Sequence, residues 1–389
     1  MARTTKLILA LYALSAFLHV YVGARLLPPL PVHWVVTMLV ALLLTVSSLL
    51  IPAAMIRSRQ EHNLLNTLVI WCGLIFMGLL SSLIVFTALR DLLMLVLWLA
   101  TSFSDSNLLT TSWISVSAIT VLLVSILVSL LGFISILLGP AVVKVEIPIE
   151  NLPDALQGFS LAQLTDVHIG PTIKRRFLTK VVHRVNQLAV DAVVITGDLV
   201  DGRVRQLGKE VTPLAELNSE YGTYFVTGNH EYYSNAHEWI DLLKTLKIRV
   251  LMNEHEVIQH RDHKVVMAGI ADYSAHQFDP DHRSDPVLAL ANAPEDAALK
   301  ILLAHQPRSI FQARNSGAHV QLSGHTHGGQ FWPWNHFVPL QQPCTSGLHW
   351  FESMWIYVSR GTGYWGPPKR FGAPAEITLI RFIKSELPE

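Results

Sequence analysis

Five short motifs in the second half of the chain carry residues of metal-ligand type. They are Asp166-x-His168, Gly197-Asp198, Gly228-Asn229-His230-Glu231, an isolated His305, and Gly324-His325-x-His327. Taken singly, each is a common turn or a chance pairing. As a set they supply the carboxylates of Asp166 and Asp198, the amide of Asn229 and the imidazoles of His168, His305, His325 and His327, with His230 to spare. That inventory suits two divalent cations held a few ångströms apart. Mixed imidazole, carboxylate and amide donors favour Mn²⁺, Fe or Zn²⁺ over Ca²⁺ or Mg²⁺, which prefer oxygen. Two dications against two carboxylates and a bridging hydroxide leave a net charge of about +1, which draws an anionic substrate.

The motifs must be positioned, and each ends or directly follows an apolar run that reads as a buried strand. Strands are expected at 142–147, 160–164, 192–196, 223–226, 265–268, 300–303, 320–322, 355–358 and 376–382. Between them, Phe177, Val181, Val182, Val185 and Leu188 recur at helical spacing, as do Trp239, Leu242, Leu243 and Leu246. Alternating strands and helices predict a layered α/β domain over 141–389, with the ligands just past strand C-termini.

Before residue 140 the chain is of another kind. Only 15% of its 389 residues are charged, the mean hydropathy is +0.37, and the apolar excess sits almost wholly in this first part. Segments 7–22, 32–56, 64–89 and 113–138 stand out. The last three are long enough to cross a hydrocarbon core of roughly 30 Å as helices. The first follows Arg3 and Lys6 and also resembles a signal peptide, but no small-residue cleavage site precedes Pro28-Pro29-Leu30-Pro31. It is read as a retained helix, so 1–140 is expected to be a four-helix membrane region ending at Gly139-Pro140. Residues 92–100 are too short to span alone and should prolong the third helix beyond Arg90-Asp91 or lie in the interface. Arg3, Lys6, Arg57, Arg59 and Lys144 outnumber Arg25 and Arg90 on the opposite side. The positive-inside rule then puts the C-terminal domain in the cytoplasm of a multi-pass inner-membrane protein, with the loop 101–112 outside. His19 is the one titratable group inside an apolar core and is read as packed, not as part of a transport path. Formal net charge is zero, so no nucleic-acid partner is expected. Cys72 and Cys344 lie in unrelated contexts and are not expected to pair.

With the motifs in this order, the chain resembles the calcineurin-like metallophosphoesterase superfamily over about 159–380. It is most similar to membrane-attached bacterial members of the YkuE/YaeI-like type. The tracts Leu322-Ser-Gly-His-Thr-His-Gly-Gly-Gln330 and Ser359-Arg-Gly-Thr-Gly-Tyr-Trp-Gly-Pro-Pro368 carry the closer likeness. The resemblance implies a four-layer α-β-β-α sandwich. It also implies that Asp166, His168 and His327 hold one metal, that Asn229, His305 and His325 hold the second, and that Asp198 bridges them. His230 would face the substrate. A hydroxide bridging the metals would attack phosphorus in line, and His230 would protonate the leaving alkoxide. The expected function is hydrolysis of a phosphomonoester, phosphodiester or pyrophosphate bond, on a lipid-linked substrate if the helices indicate where the substrate resides. The competing expectation is a catalytically silent metal-binding sensor or scaffold. Oligomeric state is not legible.

Other residues carry weaker signals. Arg360, Lys369 and Arg370 flank a Gly-, Trp- and Pro-rich tract and are read as a pocket wall that holds phosphate oxygens. His183 and His237 are read as surface groups on amphipathic helices. His255, His260 and His263 fall around an expected hairpin. The loop 272–285, with His276, Asp279, Asp281 and His282, is read as a substrate-shaping or solvated loop in preference to a third metal site.

Overall fold

The computed structural model of the protein describes residues 2–58, 63–101, 103 and 109–385. Arg59 and half of the expected outer loop lie outside the described residues. The chain forms two compact units: Met1–Ile134 with Gly366–Phe371, and Ser135–Trp365 with Gly372–Glu389.

The first unit is built on helices α1 (Ala2–Leu26), α2 (Trp34–Arg57), α3 (Leu64–Thr101) and α4 (Thr111–Leu138). All four are long and apolar enough to cross a membrane. α3 does run on through Arg90-Asp91 to Thr101, and the two charges are paired within the unit. Asp91 accepts two bonds from Arg25 Nε (3.0 and 2.9 Å) and one from Tyr21 Oη (3.0 Å). Arg90 donates to Ser117 Oγ (2.9 Å) and to the Ile114 carbonyl (3.1 Å). Pairing of this kind is what lets ionisable groups sit in an apolar helix. His19 is held the same way, between the Ser15 carbonyl (2.7 Å) and Ser47 Oγ (2.9 Å), which fits the packing role.

Small residues let α2 and α3 touch. A Cβ on Gly73 would stand 2.5 Å from both the Leu50 carbonyl oxygen and Ala54 Cβ. Gly73→Val should therefore force the helices apart and cost about 1–3 kcal/mol. The measurement is thermal unfolding in detergent, where an unchanged midpoint would refute the contact.

Gly366–Phe371 packs with these helices. Lys369 Nζ donates to the Gly78 carbonyl (3.0 Å) and to Ser82 Oγ (2.5 Å), and the Arg370 amide donates to the Gly132 carbonyl (3.0 Å).

The second unit holds two six-stranded sheets. The first has the order β1 (Ala141–Ile149), β12 (Glu376–Lys384), β2 (Ser160–Leu164), β3 (Ala192–Thr196), β4 (Thr223–Val226) and β5 (Arg249–Val250). The second runs β10 (Gly347–Phe351), β11 (Met354–Val358), β9 (Val320–Ser323), β8 (Leu299–Leu303), β7 (His263–Gly269) and β6 (Glu254–His260). β2, β3 and β4 are mutually parallel, as are β7, β8 and β9. All their C-terminal ends therefore lie along one rim of each sheet.

Strand residues alternate between two apolar layers, as the two-residue period of a strand requires. Ala192 and Val194 of β3 face inward with Leu299, Ile301 and Leu303 of β8. Val193 and Ile195 face outward, onto Leu178, Val181 and Val182 of α5 (Arg175–Asn186). The same outer layer receives Leu207 of α6 (Val204–Leu207). It also receives Trp239 and Leu243, from a helix that follows α7 (Asn229–Tyr233), namely α8 (Ala236–Thr245). On the far side, Val266, Ala268 and Leu302 meet Ala289 of α9 (Pro286–Ala289) and Ile310 and Ala313 of α10 (Ile310–Ala313). The result is the expected α-β-β-α sandwich. Burial on both faces explains why these strands read as continuous apolar runs.

Candidate metal centre

Every motif falls on a loop leaving a parallel strand at this rim. Asp166 and His168 follow β2, Asp198 follows β3, Asn229 opens α7 after β4, His305 follows β8, and His325 and His327 follow β9. The chain turns so sharply there that side chains sit in the left-handed backbone region. Asp166, His168, Asp198, His325 and His327 have φ of 52°, 54°, 50°, 70° and 52°. That conformation is costly for residues other than glycine, and it persists where the surroundings over-determine it. Close approach demands glycine next to the ligands: a Cβ on Gly324 would lie 2.2 Å from Asp166 Oδ2, and one on Gly228 2.2 Å from Asp198 Oδ1.

Two groups of donors converge. Asp166, His168 and His327 form one, with His168 Nε2 at 3.0 Å from His327 Nε2 and His327 Nε2 at 3.4 Å from Asp166 Oδ1. Asp198, His305 and His325 form the other, with His305 Nε2 3.2 Å from both Asp198 Oδ2 and His325 Nδ1. Asp198 also joins His168 and His230, whose Nε2 atoms each lie 3.9 Å from its Oδ2. Asp166 and His305 have no exposed surface, and Asn229 carries a buried Oδ1 with no hydrogen-bond partner.

The donor set fits divalent cations. Ligands about 2.0–2.2 Å from one ion stand roughly 3 Å apart, which is the spacing seen. Two ring tautomers are fixed for it. His305 Nδ1–H donates to the Thr196 carbonyl (2.8 Å) and His168 Nδ1–H donates to Asp201 Oδ1 (3.0 Å). Each Nε2 therefore turns a lone pair toward the cluster. An unshared Asn229 oxygen in a dry setting is costly unless something accepts its electrons.

Electrostatics couple the groups. Burial acts against its charge, but His305 and His230 beside it hold the Asp198 carboxyl well below the usual range. For His230, burial again opposes ionisation, yet Asp198, Asp201 and the Asp201 hydrogen bond outweigh it and raise the imidazole to about 9. Burial and the neighbouring His305 push His325 down to about 4.

Two supporting residues were not anticipated from the sequence. Asp201 bridges His168 and His230, accepting from His230 Nδ1 at 2.5 Å. Glu231 accepts from the amides of Asp198 (3.0 Å), Leu199 (2.8 Å), Val200 (3.3 Å) and Gly228 (2.6 Å), tying two ligand loops together. Burial, then the Asp198 charge, pushes its carboxyl up to about 8, and the Gly228 amide acts in the opposite sense. His230 is walled by Trp365 and Tyr233, with ring centroids at 5.6 and 5.1 Å.

The expected phosphate-holding cations are placed differently. Arg360 sits beside the His327 turn, but its guanidinium is paired with the buried Glu376 at 2.5 Å, so its charge is already balanced. Lys369 and Arg370 are each 2% exposed and belong to the helical unit, where the Lys369 ammonium is committed to Gly78 and Ser82.

The comparisons agree with this geometry. The profile of the calcineurin-like phosphoesterases matches residues 159–329. A Danio rerio "Transmembrane protein with metallophosphoesterase domain" is 35% identical over 367 residues, covering 92% of this chain and 82% of that protein. The "Uncharacterized metallophosphoesterase YkuE" of Bacillus subtilis is 30% identical over 238 residues, covering 59% of this chain and 80% of that protein. One from Aquifex aeolicus is 31% identical over 259 residues, covering 64% of this chain and 97% of its own length. The chain belongs to the calcineurin-like metallophosphoesterase family and is a metal-dependent phosphoric ester hydrolase preceded by four apolar helices.

Proposed function

We propose that the rim cluster hydrolyses a phosphomonoester, phosphodiester or pyrophosphate bond, with Asp166, His168 and His327 holding one divalent cation and Asn229, His305 and His325 the other. Asp198 is shared between them. The observation that carries this is the meeting of the two donor groups at Asp198, 3.2 Å from His305 and 3.9 Å from His168. Two bound cations would supply Lewis-acid charge and a hydroxide at neutral pH.

The remaining work falls to the chain itself. His230 carries the proton for the leaving oxygen, since its Nδ1–H is held by Asp201 and its Nε2 is the free end. Trp365 and Tyr233 fix the ring plane and keep water from its faces. Glu231 keeps the Asp198 and Asn229 loops in register through four amide bonds.

The four apolar helices in the same chain favour a substrate that resides in the bilayer, such as a lipid-linked phosphate. The Lys and Arg distribution favours a cytoplasmic site in a cell-membrane protein. The test is metal content together with Mn²⁺-dependent hydrolysis of bis-p-nitrophenyl phosphate by the detergent-purified full chain. At least two transition-metal equivalents with turnover is the expected result. Two metals with no turnover on this ester or on lipid-linked phosphates would favour the silent sensor. No bound metal and no activity after reconstitution would overturn the site.

A further inference from the structure

A second, separate constellation of ligand type lies on the loop 272–285. Asp279 and His282 of that loop meet His237, the second residue of α8. One donor atom of each lies within 4.8 Å of the others. His237 Nε2 is 2.8 Å from Asp279 Oδ2, and His282 Nε2 is 3.9 Å from the same oxygen. The two imidazole rings are 4.9 Å apart. A tetrahedral cation about 2.0–2.1 Å from each donor would space them roughly 3.3 Å apart, and the observed distances bracket that value. The three side chains are 65%, 24% and 17% exposed, so an ion could enter from solvent.

The partners of these groups leave their donor atoms facing one another. Asp279 Oδ1 accepts from the Asp281 amide (3.0 Å), while Oδ2 accepts from His237 Nε2 (2.8 Å), whose proton a cation would replace. His282 Nδ1 is 2.9 Å from Tyr232 Oη. Tyr232 Oη also lies 3.4 Å from Thr227 Oγ1. If the phenol donates to Thr227 and accepts from His282 Nδ1–H, His282 Nε2 presents a lone pair to the carboxylate side. A metal-bound histidine usually donates its other N–H to a carboxylate, a backbone carbonyl or water, and here the Tyr232 oxygen takes that place.

We infer that His237, Asp279 and His282 form a third, solvent-accessible site for a divalent transition metal, Zn²⁺ by donor type. Two imidazoles and one carboxylate are a known three-ligand zinc set, with the remaining position open to water. The site fastens the loop 272–285 to the start of α8. α7, which carries Asn229 and His230, leads into α8, and the loop already packs on it: Phe278 lies 5.9 Å from the Tyr232 ring and 5.5 Å from that of Tyr233. Tyr233 in turn contacts His230. A bound ion therefore holds the wall beside the proton donor. The inference does not depend on the phosphoesterase reading, because it shares no ligand with the rim cluster.

The test counts Zn²⁺ by elemental analysis on the full chain in detergent, stripped with chelator and then dialysed against buffered micromolar free Zn²⁺. Wild type should retain one equivalent more than His237→Ala and one more than His282→Ala. The same difference should persist in an Asp198→Ala background, where the rim cluster is disabled, so failure of one site cannot be mistaken for failure of the other. His237 is largely exposed, so its removal leaves the core intact. Tyr232→Phe keeps all three ligands and should weaken Zn²⁺ binding about 10-fold through the lost tautomer control. Equal counts in wild type and both histidine variants would overturn the site.

Discussion

Asp198→Ala should lower kcat/KM for any phosphoester by on the order of 10³-fold and should also lower metal content. Removing a single group that stabilises developing charge costs about 10²–10³ in rate, and Asp198 serves both donor groups at once. Its Oδ2 faces His305, His168 and His230, and its Oδ1 accepts the His230 amide (2.9 Å). Alanine would leave these buried rings without their shared counter-charge, and cations would be held less well on both sides. Asp198→Asn keeps the shape and removes one negative charge, so it separates geometry from charge. Metal analysis and initial rates on the same preparations decide the matter. Full metal content with an unaltered rate in Asp198→Ala would remove this residue from the centre.

Much of this was readable in the residues, for physical reasons. Strands β3, β4 and β8 are largely apolar on both faces because each sheet is covered twice, so they stood out as runs, whereas β2 and β9 are shorter apolar stretches that carry the buried Gln163 and Gln321. β5 has only two residues, and β6 and β10 carry polar residues on exposed sheet edges, so they gave no such run. The candidate ligands were legible because each follows one of the buried strands within two to four residues. Asp201 and Glu231 were not assigned because their work is done through other groups. Asp201 stands in none of the motifs, and only folding brings it between His168 and His230. Glu231 was visible in its motif, but nothing in a sequence shows that its carboxylate collects four amides from two loops. The partners of Lys369 were not legible for a different reason. A cation in a Gly- and Pro-rich tract looks solvent-facing, and its carbonyl and hydroxyl acceptors on α3 are nearly 300 residues away in the chain. His237 was read as a surface group, and Asp279 and His282 as parts of a substrate-shaping or solvated loop, since 42 residues separate the first pair.

His230→Ala should reduce turnover by about 10²–10⁴-fold on esters with poor leaving groups, the range for loss of a positioned general acid. The loss should shrink toward the low end, or vanish, for a p-nitrophenyl ester, because a nitrophenolate leaves without a proton. Asp201→Asn should lie between wild type and His230→Ala, at about 10- to 100-fold, the usual cost of removing the orienting partner of a ligand or acid. The two variants also differ in pH dependence, and the sign follows from the raised state of His230. Asp198 and Asp201 lift its imidazole to about 9 despite burial. The protonated form acts as the acid, so rate falls as pH rises through that value. Bound cations repel the proton and move this alkaline limb downward. The Asp201 charge acts in the opposite sense and raises the imidazole, so without it the limb in Asp201→Asn should sit at lower pH than in wild type with metal loading held equal. A merely structural Asp201 would lower the rate at every pH and leave the limb in place. Leaving-group dependence in His230→Ala, measured beside the limb position in Asp201→Asn, tests the acid and its holder independently. Equal losses for alkyl and nitrophenyl esters would mean that His230 binds substrate and does not move a proton.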